Sequence, residues 1–310
     1  MSIKHILLAL FVALAWGLNF VAVKTAFVEI PPFLFLTLRF LACSLPLLAF
    51  VPRPKIAWKY LLGISVFQWI AHFSLIFIAL YLGMPGGLAS VVLQSQILFT
   101  IVFSCLWLKS RLNLMQFLGV LVALIGMGLI GLQTGISGNL IAFVLLVAAA
   151  ATISVANVMY KKIGDVNMLS LVVWSSLIPP LPMFALSLYF EGWTQIVHCC
   201  QCMSWISAAA IGYTSLVSTL LGLSVWAYLM NRNDPSHVVP FSLMIPVFGL
   251  SSTALFLGES LDFITVSACT VVMLGLGINQ WPVLKPLLLR SAVKRSSTPI
   301  ALARLLLYKS

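Results

Sequence analysis

Charged residues are scarce in this sequence. Only 7% of its 310 residues are charged, and 62% are hydrophobic, whereas about a quarter of an ordinary soluble domain is charged. So few charges cannot cover a surface that faces water. The scarcity excludes a soluble domain and indicates an all-α integral membrane protein, because apolar runs of about 20 residues are typical of membrane-spanning helices rather than of the alternating strands of a barrel.

Acidic residues are the scarcest charges, and none lies deep in an apolar run. The six carboxylates are Glu29, Asp165, Glu191, Asp234, Glu259 and Asp262. A proton antiporter normally uses a carboxylate inside a helix as its relay. Three interpretations of coupling therefore stay open: His72 carries a proton, an end carboxylate such as Glu259 carries it, or transport is uncoupled. High-affinity binding of a lipophilic cation is disfavoured, since the interior charges are positive.

No motif predicts a cofactor, a metal site or a catalytic residue. The densest group of reactive side chains is His198–Cys199–Cys200–Gln201–Cys202, in a predicted loop over residues 191–202. Adjacent cysteines lack the spacing of a standard zinc site. A membrane enzyme needs a nucleophile, a base or clustered acids at one membrane face, and this group is the best candidate for one.

Ten apolar runs follow one another with short joints rich in proline and glycine. They cover residues 5–24, 31–51, 58–81, 86–108, 113–132, 138–160, 168–190, 203–230, 235–257 and 261–283. Each is long enough to cross roughly 30 Å of hydrocarbon. The prediction is ten transmembrane helices, with breaks caused by Pro179, Pro180 and Pro182 in the seventh and by Pro240 and Pro246 in the ninth.

The basic residues predict the orientation. With the N-terminus in the cytoplasm, 15 of the 17 lysines and arginines fall in inside segments. The other two, Lys24 and Arg39, belong to the runs, and no outside loop carries one. The positive-inside rule therefore places both termini in the cytoplasm. The net charge of +11 follows from this topology and from anionic lipid, and it indicates no nucleic-acid partner.

The chain reads as two copies of one unit. A shift of 149 residues places Gly126 and Gly128 on Gly275 and Gly277, and a shift of 138 places Asn19 on Asn157. We predict a five-helix repeat over 1–135, a second over 136–283 and a basic cytoplasmic tail over 284–310. An odd number of helices inverts the second copy, which is a known basis for alternating access. The tail either lies on the inner membrane surface or is solvated.

Several motifs resemble a known family, the EamA-type drug/metabolite transporters. The similarity covers about residues 5–283 and is carried by Trp16–Gly17, Asn19–Phe20, Lys24, Leu38–Arg39–Phe40, Gly83–Ser90, Gln94–Gln96, Ser170–Ser175 and Pro240–Gly249. Within the family, these motifs are most similar to those of bacterial exporters of O-acetylserine and cysteine. The resemblance implies a ten-helix bacterial inner-membrane exporter of small amino-acid metabolites. The family often has a Glu before Arg–Leu at the end of both the fourth and the ninth helix. Here the fourth has Ser110 before Arg111–Leu112, and the ninth keeps Glu259 but has Ser260 in place of the Arg.

Polar side chains inside the runs are the candidate substrate-binding residues, because such groups are costly in hydrocarbon. They are Trp16, Asn19, Lys24, Arg39, Gln68, His72, Gln94, Gln96 and Asn157. Arg39 lies about 12 Å below the outer end of its helix and is suited to holding a substrate carboxylate. Lys24 either adds a second charge or reaches the outer interface. The amides either line the cavity or join packed helices.

The functional hypothesis is a transporter that exports small zwitterionic or carboxylate-bearing metabolites by alternating access. One alternative keeps the fold and changes the cargo to drugs or nucleotide sugars, although two cavity cations are few for a nucleotide. The other alternative, a membrane enzyme, has only the group His198–Cys202 in its favour.

Overall fold

The computed structural model describes residues 1–108, 114–136, 139–164, 166–233, 235–260, 262–279 and 281, and every regular element in these ranges is a helix. The predicted tail 284–310 and the segment 109–112, which contains Ser110, lie outside the described residues. The helices are α1 Ile3–Ala26, α2 Pro32–Leu48, α3 Trp58–Tyr81, α4 Gly86–Leu108, α5 Leu114–Ile136, α6 Leu140–Ile163, α7 Met168–Phe190, α8 Trp193–Cys202, α9 Trp205–Arg232, α10 Pro235–Leu257 and α11 Phe263–Asn279.

Ten of these helices coincide with the ten predicted runs. Within the described residues, eight contain a stretch long and apolar enough to cross a membrane. The other two, α2 and α11, are apolar but have only 17 residues each. At 1.5 Å per residue, 17 residues reach about 25 Å, at the short end of the range for a membrane span.

The eleventh helix, α8, corrects the predicted loop over residues 191–202. Gly192 adopts a positive φ of 83° and ends the preceding turn, so that a new helix begins at Trp193. Ile196 and Cys199 are one helical turn apart, and both are buried. Two apolar positions on one face are enough to dock a short helix, but they leave little signal in the sequence. His198 and Cys202 lie one turn apart on it, with 3.9 Å between Nδ1 and Sγ.

Four helices contain irregular turns at matching places. Helices α3 and α9 each include a π-helical segment, Ser65–Ala71 and Tyr213–Leu221. Helices α4 and α10 each include a 3₁₀ segment, Leu93–Ser95 and Val239–Leu243. The 149-residue shift places the first π-helical segment on 214–220, within the second, and places the first 3₁₀ segment on 242–244, which overlaps the end of its counterpart. The predicted break in α7 is confirmed: the helix stops at Ser175 and resumes at Pro180, because proline cannot donate the next backbone hydrogen bond.

The packing of the helices is also paired. Helix α1 packs against α10 and α6 against α4, while α5 packs against α11 and α2 against α7. The closest approach joins α5 to α11, where a Cβ added at Gly275 would lie 2.3 Å from the backbone nitrogen of Ala123. A Cβ added at Gly277, two residues later, would have nothing within 4 Å. Only the first glycine of this pair is needed for helix packing.

We therefore expect Gly275→Val to weaken the α5–α11 contact and Gly277→Val to leave it intact. Forcing a side chain into a packed contact costs about 1–3 kcal/mol. The measurement is the apparent Tm of the purified protein in detergent, which should fall by several degrees for the first variant only. Equal Tm values for the two variants would contradict this packing.

Candidate functional site

Arg39 on α2 is the most deeply buried charge, with only 2% of its surface exposed. Its Nη2 donates a hydrogen bond of 2.9 Å to Oγ1 of Thr219 on α9. Its Nε and Nη1 are buried without a partner. The one salt bridge among the described residues joins Lys24 to Glu259, so no carboxylate in that part of the chain balances the guanidinium. A buried charge without a counter-ion is costly, which makes this position a candidate for anion binding.

Aromatic rings also surround Arg39. Its Cζ lies 4.2 Å from the ring centroid of Phe73 and about 6 Å from those of Phe40 and Phe77. Trp69 stacks on Phe73 with centroids 5.9 Å apart. We call Phe40, Phe73 and Phe77 the Arg39 cage. Cation–π attraction offsets part of the cost of burying the charge and leaves the unbonded N–H groups free to bind a ligand.

The π-helical segment of α9 faces Arg39 from the other side. Thr219 and Ser215 both belong to it, and Ser215 donates a hydrogen bond of 3.0 Å to the backbone oxygen of Arg39. Thr219 in turn donates to the oxygen of Thr214, five residues earlier. A π-helix turns side chains out of ordinary helical register and is frequent at functional sites. Sequence reasoning missed Thr219, because a threonine within an apolar run carries no distinguishing signal.

Three further predicted residues gather on the two π-helical segments or beside them. His72 follows the segment of α3; its ring centroid is 5.2 Å from that of Phe73, and its Nδ1 is 2.8 Å from the carbonyl of Ala149 on α6. Gln68 lies within the same segment and accepts a hydrogen bond from the hydroxyl of Tyr160. Trp16 on α1 donates from Nε1 to the carbonyl of Ser218, the neighbour of Thr219, at 2.9 Å.

The remaining amides lie along α1, α4 and α6. Gln94 donates to the carbonyl of Ser242 at 3.1 Å and thereby joins the two 3₁₀ segments, and Asn157 donates to Oγ1 of Thr100 at 3.1 Å. The carbonyl of Gln96 accepts from Ser154, and its side chain is half-buried. The side-chain oxygen of Asn19 is buried with no partner. For Gln94 and Asn157, the contacts are those of amides that join packed helices.

Lys24 lies apart from the Arg39 cage, at the end of α1. Its Nζ forms a salt bridge of 2.8 Å with Glu259, and the two side chains are 22% and 13% exposed. The same carboxylate accepts hydrogen bonds from the backbone nitrogens of Gly86 and Gly87, at 2.7 and 3.0 Å. Glu259, which follows α10, therefore holds the first turn of α4 as well as the last turn of α1.

Three other carboxylates bond to the starts of helices, Glu191 and Glu29 through backbone nitrogens and Asp262 through the hydroxyl of Thr265. Glu191 accepts from the backbone nitrogens of Phe33 and Leu34 at the start of α2. Glu29 accepts from the nitrogen of Ser204, just before α9, and Asp262 accepts from Thr265 in the first turn of α11. We call the end of the bundle that carries Glu29, Glu191, Glu259 and Asp262 the acidic end; these are all the acidic residues that the structure describes.

Hydrogen bonding controls the acidity of two of these groups. Burial raises the pKa of Glu259, but the hydrogen bonds from Lys24, Gly87 and Gly86 outweigh it, so that the pKa lies below its usual value of 4.5. Hydrogen bonds from Ser207 and Ser204 likewise hold the pKa of Glu29 below 4.5. Both carboxylates are therefore ionised at neutral pH.

The lowered pKa values predict acid sensitivity. A carboxylate with a lower pKa in the folded than in the unfolded protein contributes stability above the unfolded value, near 4.5, and loses it as the pH falls through the folded value. We expect the apparent Tm in detergent to fall on acidification below about pH 4.5. Glu259→Gln should lower the Tm at pH 7 and make this decline shallower. An unchanged dependence of the Tm on pH in Glu259→Gln would show that this carboxylate does not contribute to the acid sensitivity.

Two surface cavities lie at opposite ends of the bundle, and Arg39 lines neither. One, of about 270 Å³, is at the acidic end and is lined by polar groups that include Glu259, Asp262 and Gln133. The other, of about 260 Å³, lies between the start of α7 and the end of α9, where Asn167 and Tyr228 line it. Arg39 itself is buried in this conformation.

Comparison with known proteins identifies the family. The sequence profile of the EamA-like transporter family matches residues 3–132 and 138–279. The chain belongs to this family. It is 38% identical over 286 residues to a protein of Salmonella typhimurium (strain LT2) named a probable amino-acid metabolite efflux pump, covering 90% of this chain and 95% of that protein.

A protein of the same name from Escherichia coli (strain K12) is 36% identical over the same share of both chains. A more distant relative from that strain, 24% identical over 84% of this chain and 83% of its own length, is named an uncharacterized inner membrane transporter. A chain of known crystal structure, 18% identical, superposes with a TM-score of 0.61 over 92% of this chain and 99% of its own length. That likeness concerns the fold alone.

Proposed function

We propose that this protein exports small amino-acid metabolites of the cysteine or O-acetylserine kind across the bacterial inner membrane. Two relatives with more than a third of their residues identical are named probable amino-acid metabolite efflux pumps. The observation that carries the cargo class is Arg39, a buried cation with two unpartnered nitrogens. A guanidinium of this kind matches the paired oxygens of a carboxylate, which every amino acid carries.

The proposed architecture is ten membrane-spanning helices in two inverted five-helix repeats, over residues 1–135 and 136–283. Three observations support it. The family profile matches two stretches, one in each half. The π-helical and 3₁₀ segments recur at the 149-residue shift. A two-fold axis in the membrane plane exchanges equivalent helices of the two repeats. Such an axis converts the contact of α1 with α10 into that of α6 with α4, and it converts the pairs α2–α7 and α5–α11 into themselves; all four contacts are present.

The proposed orientation places the acidic end outside and both termini in the cytoplasm. The described acids are all at one end. The described lysines and arginines, apart from Lys24 and Arg39, lie at the start of α1, around residues 53–59 and at the ends of α6 and α9, which face the opposite way in a ten-span topology. This charge separation supports the positive-inside assignment. Helices that start at the outer face present their N-terminal N–H groups there, which carboxylates stabilise.

In this proposal the substrate carboxylate binds the free N–H groups of Arg39 beside Thr219, and Phe73 holds the guanidinium plane. His72, Gln68 and Trp16, on or against the two π-helical segments, form the surrounding wall. Binding requires the segments to separate, since Arg39 is buried. Alternating access then consists of exposing this one site to each side in turn.

Other cargoes fit the described residues less well. A nucleotide sugar carries several negative charges, whereas Arg39 is the one described cation that is buried without an acidic partner. Membership of a transporter family favours transport over a membrane enzyme. A drug carrier of the same fold remains the second candidate, and it requires no carboxylate on its cargo.

The decisive variant is Arg39→Met, which removes the charge and keeps most of the apolar stem. Losing a buried charge partner costs about 2–5 kcal/mol in binding, so we expect export to fall at least about tenfold. Stability should be unchanged or higher, because an uncompensated buried charge is removed. The measurements are metabolite profiles of the medium from overexpressing cells and the Tm of the purified protein.

The matched control is Arg53→Ala, which removes an exposed arginine that stacks on Trp58. It should export normally. Arg39→Lys keeps the charge without the two-pronged geometry and should give intermediate export. Normal export of amino-acid metabolites by Arg39→Met at normal membrane levels would remove Arg39 from the site. If the unmutated protein exported uncharged drugs but no amino-acid metabolites, the second candidate would be favoured.

A further inference from the structure

Helices α4 and α10 pack closely against each other through one half of each helix, while the other two halves do not. The first half of α4, Gly86–Val92, packs closely against Met244–Leu257, the second half of α10. A Cβ added at Gly87 would lie 3.1 Å from Cα of Leu250, and one added at Gly249 would lie 2.5 Å from Oγ of Ser90. These two half-helices therefore meet almost backbone to backbone, on the side of the bundle that leads to the acidic end.

Helix α1 completes this contact. A Cβ at Gly17 would lie 2.6 Å from Cβ of Phe248 and 2.9 Å from the backbone nitrogen of Gly249. Near the end of the bundle, a Cβ at Gly86 would meet Thr253 and Phe20 within 3.2 Å. We call the line of contacts formed by Gly17, Gly86, Gly87, Ser90 and Gly249 the glycine seam. It leaves no room for a substrate between α1, α4 and α10.

Glu259 closes the end of the glycine seam. Its carboxylate binds Lys24 from α1 and the backbone nitrogens of Gly86 and Gly87 from α4, while its own backbone follows α10. We call this set of three contacts the ionic lock. The other charged group in the neighbouring cavity is Asp262, which accepts a hydrogen bond from Gln133 and takes no part in the lock.

The opposite halves of the same helices are not joined in this way. Among the described residues, Gln96–Leu108 of α4 and Pro235–Leu243 of α10 form no comparable close packing. Their meeting point is the bond from Gln94 to Ser242, at the 3₁₀ segments in the middle. In the sequence, the 149-residue shift places Ser110 opposite Glu259, and a serine cannot form the corresponding ion pair.

We propose that the ionic lock holds the acidic end closed, and that opening it is the step that lets substrate leave on the outer side. This inference rests on the proposed function for the direction of transport. The lock ties together the three helices whose separation opens the seam, and its partners come from α1, α4 and the end of α10. Since the other repeat has no acid at this place, closure is stronger at the acidic end.

The test measures access to the seam without any substrate. Ser90→Cys places a thiol in the seam, where Ser90 is 2% exposed. Intact cells are treated with a membrane-impermeant maleimide, and labelling of the same chain without Ser90→Cys is subtracted as background from the native cysteines. We expect little labelling with Glu259 present and at least about a threefold increase in labelling with Glu259→Gln, because losing the lock shifts the population toward the open state.

Asp262→Asn is the matched control, since it removes the same charge from the same cavity and should leave labelling low. Equal labelling in Glu259→Gln and its parent, or an equal increase in Asp262→Asn, overturns the proposal. An increase seen only in inverted membrane vesicles also overturns it, because the lock would then face the cytoplasm. The readout does not depend on the cargo, so an error in the proposed substrate would appear in the export assay and not here.

A charge exchange separates the ion pair from the backbone contacts. In Lys24→Glu combined with Glu259→Lys, attraction between the two side chains is restored, but a lysine cannot accept hydrogen bonds from Gly86 and Gly87. We expect labelling of the Ser90→Cys thiol to remain high in this double variant. Full return to low labelling would show that the ion pair alone closes the seam, and that the lock as described is wrong.

Discussion

The structure depends on satisfying the backbone groups at helix ends with very few charged side chains. The first N–H groups of a helix have no partner within it, and a membrane offers little water to replace one. At the acidic end, Glu29, Glu191 and Glu259 each bind main-chain nitrogens at the start of another helix. Each bond spans a long sequence separation, so the few acids determine which helices are held together there.

The same scarcity of acids explains the state of Arg39. The described carboxylates are all occupied at the acidic end, and none of them is left to balance Arg39. The protein instead holds the guanidinium with the ring of Phe73, the hydroxyl of Thr219 and the walls of the Arg39 cage. In the proposed function, the carboxylate of the cargo supplies the negative charge that the fold leaves out at Arg39.

Much of the fold follows from the sequence, because each span is its own apolar run and the joints contain proline or glycine. That Arg39 lies within a helix rather than in a joint was predictable for the same reason. Helix α8 was not, since Ile196 and Cys199 are the only side chains described there that mark its buried face. Nor were the partners of Lys24 and Arg39: Glu259 lies 235 residues from Lys24, and Thr219 lies 180 residues from Arg39, in the π-helical segment of α9. These contacts arise from three-dimensional packing.

An inverted repeat with identical halves would close equally well at either end, since a two-fold rotation would convert one of its two conformations into the other. Unequal polar groups are what distinguish them. Both halves of this chain contain a π-helical and a 3₁₀ segment, whereas Glu259 has only Ser110 as its counterpart in the sequence. In the proposed mechanism, one added carboxylate stabilises one of two similar states, and the free energy of the Glu259 contacts sets how far the resting population favours closure at the acidic end.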